Sequence, residues 1–251
     1  MAALPRRGGR FSTLPAVIAG VALFACTADR PATAAVPRLT VTSASFKNGA
    51  QIPGEYAFCI PAKQGHFALG PDKSPALQWS AGPAGTRSYA IIASDTDVPS
   101  VGDDVNKEGK TIPRSLKRAT FYHWVLFDIP ASTTSLAAGA DSEGVTPHGK
   151  SASSAKLGTR GINDYTGWFA SDPNMKGDYA GYDGPCPPWN DSLVHHYHFA
   201  VYALDVPTLG LKGRVNGEEA MAAIAKHTLA KGEIVGTYTL NPALGKKASS
   251  P

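Results

Sequence analysis

The sequence predicts an all-β fold with minor α content: a β-sandwich with one late helix and long connecting loops. Short runs of aromatic and β-branched residues recur at the spacing of hairpins, whereas a single late segment has the composition of a helix. The 26 glycines and 20 prolines supply the turns that many short strands need. Apolar residues make up 43% and charged residues 18% of the chain, which is the composition of a globular protein. Strands outnumber helices in this pattern, and a β-sandwich therefore follows.

The predicted strands of the N-terminal half are short. Residues 39–46 alternate apolar and polar side chains, as a strand with one buried face does, and a Lys-Asn-Gly turn closes them. Residues 56–60 and 77–79 form two further short strands. Residues 88–94 are an almost continuous apolar run, which predicts a buried strand that ends at Asp95.

The C-terminal half contains stronger signals. Its predicted strands cover residues 120–129, 193–204 and 234–240. Asn216 and Glu219 have the spacing of a capping box, and good helix formers follow over residues 220–229. Gly232 is the expected stop of this helix. The long segment before these elements, residues 136–183, has no clear period, and a loop of that length is often functional.

The first 25 residues have the form of an export signal. Arginines precede an apolar run over residues 14–25 that is too short to span a bilayer. The Leu-Phe-Ala-Cys sequence at its end resembles a bacterial lipoprotein box, with Cys26 as the lipidated residue and membrane anchor. Cleavage after Ala34 is the alternative. In both cases we expect an exported protein, periplasmic, membrane-anchored or secreted, with residues 26–40 as a flexible tether.

The charge of the chain gives no sign of a nucleic-acid partner. The formal net charge is +4, but three leader arginines contribute to it, and only about +1 remains without them. No basic run or patch follows along the chain.

Beyond Cys26, the chain has two cysteines, Cys59 and Cys186. In an oxidising compartment such an even pair favours a disulfide, which here would tie the Cys59 segment to a proline-rich loop. Two buried free thiols are the alternative.

That proline-rich loop leads into the strand at residues 193–204. Pro185, Pro187 and Pro188 have fixed φ angles and no backbone N–H, so residues 184–188 form a rigid loop. Period-two alternation assigns residues to two strand faces. One face carries His195, Tyr197, Phe199 and Val201, and the other carries His196, His198, Ala200 and Tyr202. The loop thus places His195 and Tyr197 at the mouth of a preformed pocket.

Two other segments supply candidate pocket residues. Alternation over the 120–129 strand places Phe121, His123, Val125, Phe127 and Ile129 on one face. Asp95 and Asp97 lie where the 88–94 strand ends, and Pro99 fixes the exit of the chain. If Asp95, His123 and His195 converge, imidazole N–H groups donate to the oxygens of an anion while Asp95 orients one ring. The prediction is an anion pocket for a phosphate or carboxylate.

These segments resemble the phosphatidylethanolamine-binding protein family, most closely its bacterial Raf-kinase-inhibitor-like branch. The likeness lies in Asp-Thr-Asp-Val-Pro at 95–99, His-Trp-Val-Leu at 123–126, and Gly-Pro-Cys-Pro-Pro at 184–188 followed by His-His-Tyr at 195–197. It covers a single domain at residues 41–240, with residues 241–251 left as a disordered tail. It implies a two-sheet antiparallel β-sandwich with a small anion pocket.

The resemblance also implies a ligand set and a function. The implied ligand-binding residues are Asp95, Asp97, Pro99, His123, Gly184, Pro185, His195 and Tyr197. The implied ligand is phosphate, a phosphoethanolamine-like head group or a carboxylate, and several family members inhibit kinases or proteases. No enzymatic activity, cofactor or metal is implied. This chain departs from the family in long insertions at residues 101–115 and 144–183, and in the lack of a C-terminal helix beside the pocket.

Two other functions are consistent with the same residues. A metal-assisted hydrolase would use Asp95, Asp97, His123 and His195, and an interaction scaffold would use the long insertions. Residues 144–151 match the P-loop pattern, but no buried strand precedes them and no apolar-faced helix follows. Nucleotide hydrolysis is therefore not expected.

Overall fold

The computed structural model describes residues 37–152 and 157–245. The predicted export signal, Cys26 and Ala34 lie outside the described residues, as do residues 246–251 of the tail. No helix in the described ranges is long and apolar enough to cross a membrane.

The described ranges contain ten β-strands, three α-helices and one 3-10 helix. The strands are β1 Val41–Thr42, β2 Cys59–Pro61, β3 Phe67–Leu69, β4 Leu77–Trp79, β5 Ser88–Pro99, β6 Arg118–Pro130, β7 Ser135–Leu136, β8 Thr159–Arg160, β9 His195–Leu204 and β10 Thr228–Tyr238. The helices are α1 Tyr165–Trp168, α2 Gly217–His227 and α3 Pro242–Gly245, and the 3-10 helix is Gly54–Tyr56.

The strands form an antiparallel β-sandwich, as predicted. A five-stranded sheet has the order β10-β9-β5-β6-β8, and a three-stranded sheet has the order β1-β4-β7. Strands β2 and β3 form a separate two-stranded ribbon. The two larger sheets share a core, in which Trp79 of β4 contacts Tyr89 of β5 with ring centroids 5.6 Å apart. Helix α2 covers the other face of the five-stranded sheet, where Ala220 and Ile224 are buried.

The face prediction for β9 is confirmed. His195, Tyr197, Phe199 and Val201 are buried, and the last three belong to the core between the sheets. Ala200 and Tyr202 pack in the core under α2. Strand β9 pairs with both β5 and β10, so its alternation is regular over its whole length.

The face prediction for residues 120–129 is wrong. Ala93 of β5 pairs with Trp124 and Ser94 pairs with Tyr122, so His123 is the extra residue of a β-bulge. The bulge shifts the alternation. As a result Val125 and Phe127 pack under α2, whereas Phe121 and His123 contact the other core or its aromatic residues. A second register shift, between the Ile91–Leu126 and Tyr89–Ile129 pairs, returns Ile129 to the core between the sheets.

Strand β5 extends five residues beyond the predicted end. Asp95 pairs with both Phe121 of β6 and Tyr197 of β9, and the pairing with β6 continues to Pro99. Asp95, Asp97 and Pro99 therefore belong to a strand rather than to a loop. Beyond Asp95, pairing with β6 stabilises an extended backbone that local composition does not predict.

The predicted N-terminal strands are shorter than expected. Only Val41–Thr42 of residues 39–46 forms a strand. Beyond Thr42, serine hydroxyl groups make the hydrogen bonds to the neighbouring chain that backbone groups would make in a β-ladder. The Ser43 hydroxyl donates to the Ala76 carbonyl, and the Ser45 hydroxyl accepts from the Ala76 N–H. The predicted strand at residues 56–60 is a 3-10 helix ending at Tyr56, with β2 beginning at Cys59.

Helix α2 begins as predicted but ends early. Its capping box is present, because the Glu219 N–H donates to Asn216 Oδ1 at 2.9 Å and the Asn216 N–H donates to Glu219 Oε2 at 3.0 Å. The helix ends at His227 because β10 begins pairing with β9 at Thr228. Gly232 is thus inside β10 and does not end the helix.

Both predicted flexible ends are partly ordered. Leu39 is buried, and its N–H donates to the Lys231 carbonyl at 2.9 Å, so residues 37–40 pack against β10 and are not a free tether. Gly232 permits this approach, since a Cβ there would stand 2.2 Å from the Leu39 carbonyl oxygen. In the predicted tail, Pro242–Gly245 forms the short helix α3.

Candidate ligand-binding site

A cavity of about 460 Å³ opens at the edge of the five-stranded sheet where β5 ends and where β6 and β9 begin. Asp95, His123, His195 and Tyr197 form its polar floor. The disulfide-bonded Cys59 and Cys186 line one wall together with Pro187 and Pro188. An aromatic wall consists of Phe58, Phe121, Tyr165 and Phe169, and residues of the 101–106 segment form the remaining side.

Five of the eight predicted ligand-binding residues line this cavity: Asp95, Pro99, His123, His195 and Tyr197. The other three do not. The Asp97 carboxylate accepts from the backbone N–H of His196 at 2.9 Å and lies 2.8 Å from its Nδ1, on the side of the sheet away from the cavity. Gly184 and Pro185 hold the wall from behind. The Gly184 carbonyl accepts from the Tyr165 hydroxyl at 2.8 Å, and the Pro185 carbonyl accepts from the Cys59 N–H at 3.0 Å.

His195 is held between two carboxylates, which changes its expected role. Its Nδ1 lies 2.6 Å from Asp95 Oδ2 and its Nε2 lies 3.2 Å from Asp191 Oδ2. Burial opposes the charge on this ring, but the hydrogen bonds and charges of Asp191 and Asp95 outweigh it and raise the pKa of His195 to about 9. Both N–H groups of the imidazolium are therefore used within the protein. The prediction that His195 donates a hydrogen bond to the anion is not supported by this geometry.

Asp191 and Arg118, which the sequence pattern did not predict as site residues, extend this chain of alternating charges from His195. Arg118 Nη2 donates to Asp191 Oδ1 at 3.0 Å, and Arg118 Nη1 donates to the other carboxylate oxygen of Asp191. Asp191 lies only four residues before His195, and this short spacing could have indicated a contact between the two side chains. Arg118 comes from the start of β6, and nothing in its local sequence indicated a role.

His123 presents one free ring nitrogen at the floor. Its Nδ1 lies 2.8 Å from the carbonyl oxygen of Asp183, and because a carbonyl only accepts, the proton resides on Nδ1. Burial lowers the pKa of His123, partly opposed by the charge of Asp95, so the neutral ring dominates at pH 7. Nε2 then offers a lone pair and becomes a donor only when the ring gains a proton.

Tyr197 places a buried hydroxyl group at the floor of the cavity. The residue is 1% exposed, and its hydroxyl has no hydrogen-bond partner among the described residues. Burial and the charge of Asp95 raise the pKa of Tyr197 well above its usual value, so the hydroxyl keeps its proton. The ring packs edge-on against His123, with centroids 5.2 Å apart. The floor therefore combines a fixed O–H donor with a ring that can be protonated.

Comparison with known proteins identifies the family of the chain. The family model for the phosphatidylethanolamine-binding proteins matches residues 42–239. The chain belongs to this family. A UPF0098 protein of Aquifex aeolicus is 32% identical over 200 residues, covering 80% of this chain and 88% of the relative. The UPF0098 protein YbcL of Escherichia coli is 28% identical over 203 residues, covering 80% of this chain and 87% of YbcL.

Two solved structures confirm the family fold. The crystal structure of Escherichia coli YbcL, described as a new member of the mammalian PEBP family, has a TM-score of 0.58 at 27% identity and covers 80% of this chain and 98% of YbcL. The structure of CT736, a homologue of phosphatidylethanolamine-binding proteins from Chlamydia trachomatis, has a TM-score of 0.52 at 26% identity and covers 80% of this chain and 97% of CT736.

In this family member, a buried polar network supports the floor from below. Lys150 Nζ donates to Asp183 Oδ1 at 2.8 Å and to the Tyr182 carbonyl at 2.6 Å. Asn163 Nδ2 donates to the other Asp183 oxygen at 2.7 Å. Since the Asp183 carbonyl accepts from His123, this network fixes the ring. Lys150 of the P-loop-like stretch thus has structural partners within the protein.

The predicted disulfide between Cys59 and Cys186 is present. It joins β2 to the proline-rich loop across 127 residues of chain. Both cysteines line the cavity, so the bond stiffens one of its walls.

The candidate metal-binding side chains do not form one cluster. Across residues 37–152 and 157–245, no group of three or more His, Cys, Asp or Glu side chains is arranged to hold a metal ion. Asp97 lies apart from Asp95, and both ring nitrogens of His195 are occupied by carboxylates.

Proposed function

We propose that this member of the phosphatidylethanolamine-binding protein family is an exported binding protein, not an enzyme, and that its cavity holds the anionic head of a small ligand. The observation that carries the proposal is the Tyr197 hydroxyl, which is buried, belongs to a residue that lines the cavity and lacks a hydrogen-bond partner among the described residues. Buried polar groups almost always have a hydrogen-bond partner. A ligand oxygen is the acceptor that this hydroxyl requires.

His123 provides the second expected contact. An anion beside Nε2 stabilises the imidazolium, so a ring that is neutral in the free protein gains a proton on binding. The new N–H then donates to the anion while Nδ1–H stays on the Asp183 carbonyl. Phosphate, a phosphoryl head group and a carboxylate all supply oxygens suited to these two donors.

His195 and Asp95 act as positioning residues in this proposal. The imidazolium of His195 neutralises Asp95, which would otherwise repel an anion at the floor. Asp191 and Arg118 hold the ring from the opposite side. His195 therefore contributes positive charge at a fixed position, without a direct hydrogen bond to the ligand.

Two features support export. The arginine-containing leader with its short apolar run has the form of a signal segment. The Cys59–Cys186 disulfide is the kind of bond that persists in oxidising compartments. Lipidation at Cys26 and cleavage after Ala34 remain alternatives, and the mass of the processed N-terminal peptide in the native host separates them.

Calorimetric titration tests the proposed site. Phosphate, phosphoethanolamine and acetate are titrated into the unchanged protein, His123→Ala and Tyr197→Phe. Tyr238→Phe is the matched control, because its buried hydroxyl donates to the Cys59 carbonyl and does not line the cavity. We expect at least one of these anions to bind saturably, with an affinity that falls in the first two variants and is unchanged in the control. Equal binding by all four proteins would refute the proposed site.

A further inference from the structure

We infer that the cavity binds an organic monoanion with an apolar body of about six or more carbon atoms, and that it selects against free phosphate and acetate. The inference rests on the proposed function, since it assumes an anionic head at Tyr197 and His123. It adds the part of the ligand that the floor does not explain. Four features of the cavity support it: its volume, its aromatic wall, its mouth and its charge.

The volume exceeds what a small ion needs. At about 460 Å³, the cavity falls within the range of about 300–1,000 Å³ that is typical of sites for organic ligands. Its upper wall is apolar and rigid. Phe58 and Tyr165 stack with ring centroids 4.4 Å apart, and Phe169 stacks on Tyr165 at 5.6 Å. A phosphate or acetate bound at the floor would leave these rings uncovered.

The mouth of the cavity is also apolar. The large hydrophobic side chains that the described part of the chain exposes are Phe67, Leu69, Val101 and Trp168, with 39–52% of their surface accessible. All four line this cavity. Their concentration at one opening indicates a site that an apolar group covers, because exposed apolar patches commonly mark binding surfaces.

The charge of the cavity favours a single negative charge. No lysine or arginine of the described residues lines it, whereas Asp95 and Asp172 do. The N–H groups of His195 are occupied, so the donors that the polar floor offers an anion are the Tyr197 hydroxyl and a proton gained by His123. A doubly charged phosphate would meet too few donors to replace its hydration. A carboxylate, or a phosphate ester with one charge, fits this floor better.

The two predicted insertions enlarge the apolar part of the cavity. Val101, Gly102 and Val105 come from the first insertion, which Asn190 holds in place. Asn190 Nδ2 donates to the Asp104 carbonyl at 2.8 Å and to the Lys110 carbonyl at 3.1 Å. Residues 165–175 of the second insertion supply Tyr165 and Phe169 of the aromatic wall, together with Met175. The predicted effect of the insertions on access thus takes a specific form: they determine the size of the ligand.

The test is a chain-length series measured by calorimetry at pH 5.5. Acetate, butanoate, hexanoate and octanoate form one arm, and inorganic phosphate and hexyl phosphate form the other. Burial of one methylene raises an association constant about fourfold, so we expect hexanoate to bind roughly a hundredfold or more tightly than acetate. The arm with the tighter six-carbon member identifies the head group as carboxylate or phosphate ester.

A filling variant locates the effect. A Cβ on Gly102 meets no atom within 4 Å, so Gly102→Phe adds a ring at the cavity wall without a clash at its base. We expect the ratio of hexanoate to acetate affinity to fall at least tenfold in this variant. Gly245→Phe, at another open glycine outside this cavity, should keep the ratio.

The outcomes separate this inference from the proposed function. Measurable binding with the same affinity along both series would overturn the inference and leave the anion site intact. An unchanged hexanoate preference in Gly102→Phe would also overturn it. The absence of binding by every probe would overturn the inference and the proposed function together.

Discussion

The substitution Tyr197→Phe tests whether the Tyr197 hydroxyl contributes to ligand binding or to the stability of the fold. The change removes one oxygen and leaves the ring, which is 1% exposed and packs against His123. Because the hydroxyl has no hydrogen-bond partner among the described residues, its burial in the free protein costs about 1–3 kcal/mol of desolvation. We therefore expect the unliganded variant to be as stable as the unchanged protein, or more stable by about 1 kcal/mol, which raises Tm by about 2–4 °C.

The same substitution should weaken ligand binding. A hydrogen bond to a charged acceptor contributes about 1.5–3 kcal/mol, so hexanoate affinity should fall roughly ten- to a hundredfold. Tyr238→Phe provides the opposite pattern, because it breaks a 2.9 Å hydrogen bond to the Cys59 carbonyl and should lose about 1 kcal/mol of stability without affecting affinity. Urea unfolding and calorimetry measure both quantities. A Tyr197→Phe protein that is destabilised like Tyr238→Phe and binds normally would refute the reasoning.

Three further predictions concern protons and the disulfide. Burial lowers the pKa of His123 and a bound anion raises it, so the affinity for an anion should increase as pH falls from 8 to 6. Calorimetry in buffers of different ionisation enthalpy should show net proton uptake on binding. An affinity that is independent of pH would contradict this role of His123. The pKa of His195 is about 9 in the folded protein and near 6.5 when unfolded, so its contribution, about 3 kcal/mol at most, should be complete below pH 6.5 and lost as pH rises through 9. Urea unfolding from pH 6 to 9.5 measures it, with His195→Gln as the control that should remove the slope. Reduction of the Cys59–Cys186 disulfide releases a loop of 127 residues and should lower the free energy of unfolding by about 3–5 kcal/mol. The loss is measured as a fall in Tm, which the variant with both cysteines replaced by serine should reproduce. An unchanged Tm would show that the disulfide does not constrain the fold.

The sequence was informative where structure is locally periodic. Strand β9 has partners on both sides, so its alternation predicted which residues face the floor, including His195 and Tyr197. The capping residues Asn216 and Glu219 located the start of α2 in the same way. In both cases the sequence pattern that indicates the structure lies within a few consecutive residues.

The remainder of the site depends on contacts between distant segments. The bulge at His123 arises from the pairing of β6 with β5, and its neighbours in the sequence do not indicate it. Arg118 meets Asp191 across 73 residues, which is why the charge chain around His195 was not predicted. Two of the four aromatic-wall residues, Tyr165 and Phe169, come from a segment without period, so neither the position of the wall nor the size of the cavity could be derived from the pattern.

A crystal structure of the protein with hexanoate tests the central claim most directly. We expect one carboxylate oxygen about 2.7 Å from the Tyr197 hydroxyl, the other within reach of His123 Nε2, and the alkyl chain against the aromatic wall. Hexanoate bound elsewhere, or a Tyr197 hydroxyl still without a ligand partner at saturating hexanoate, would contradict the account.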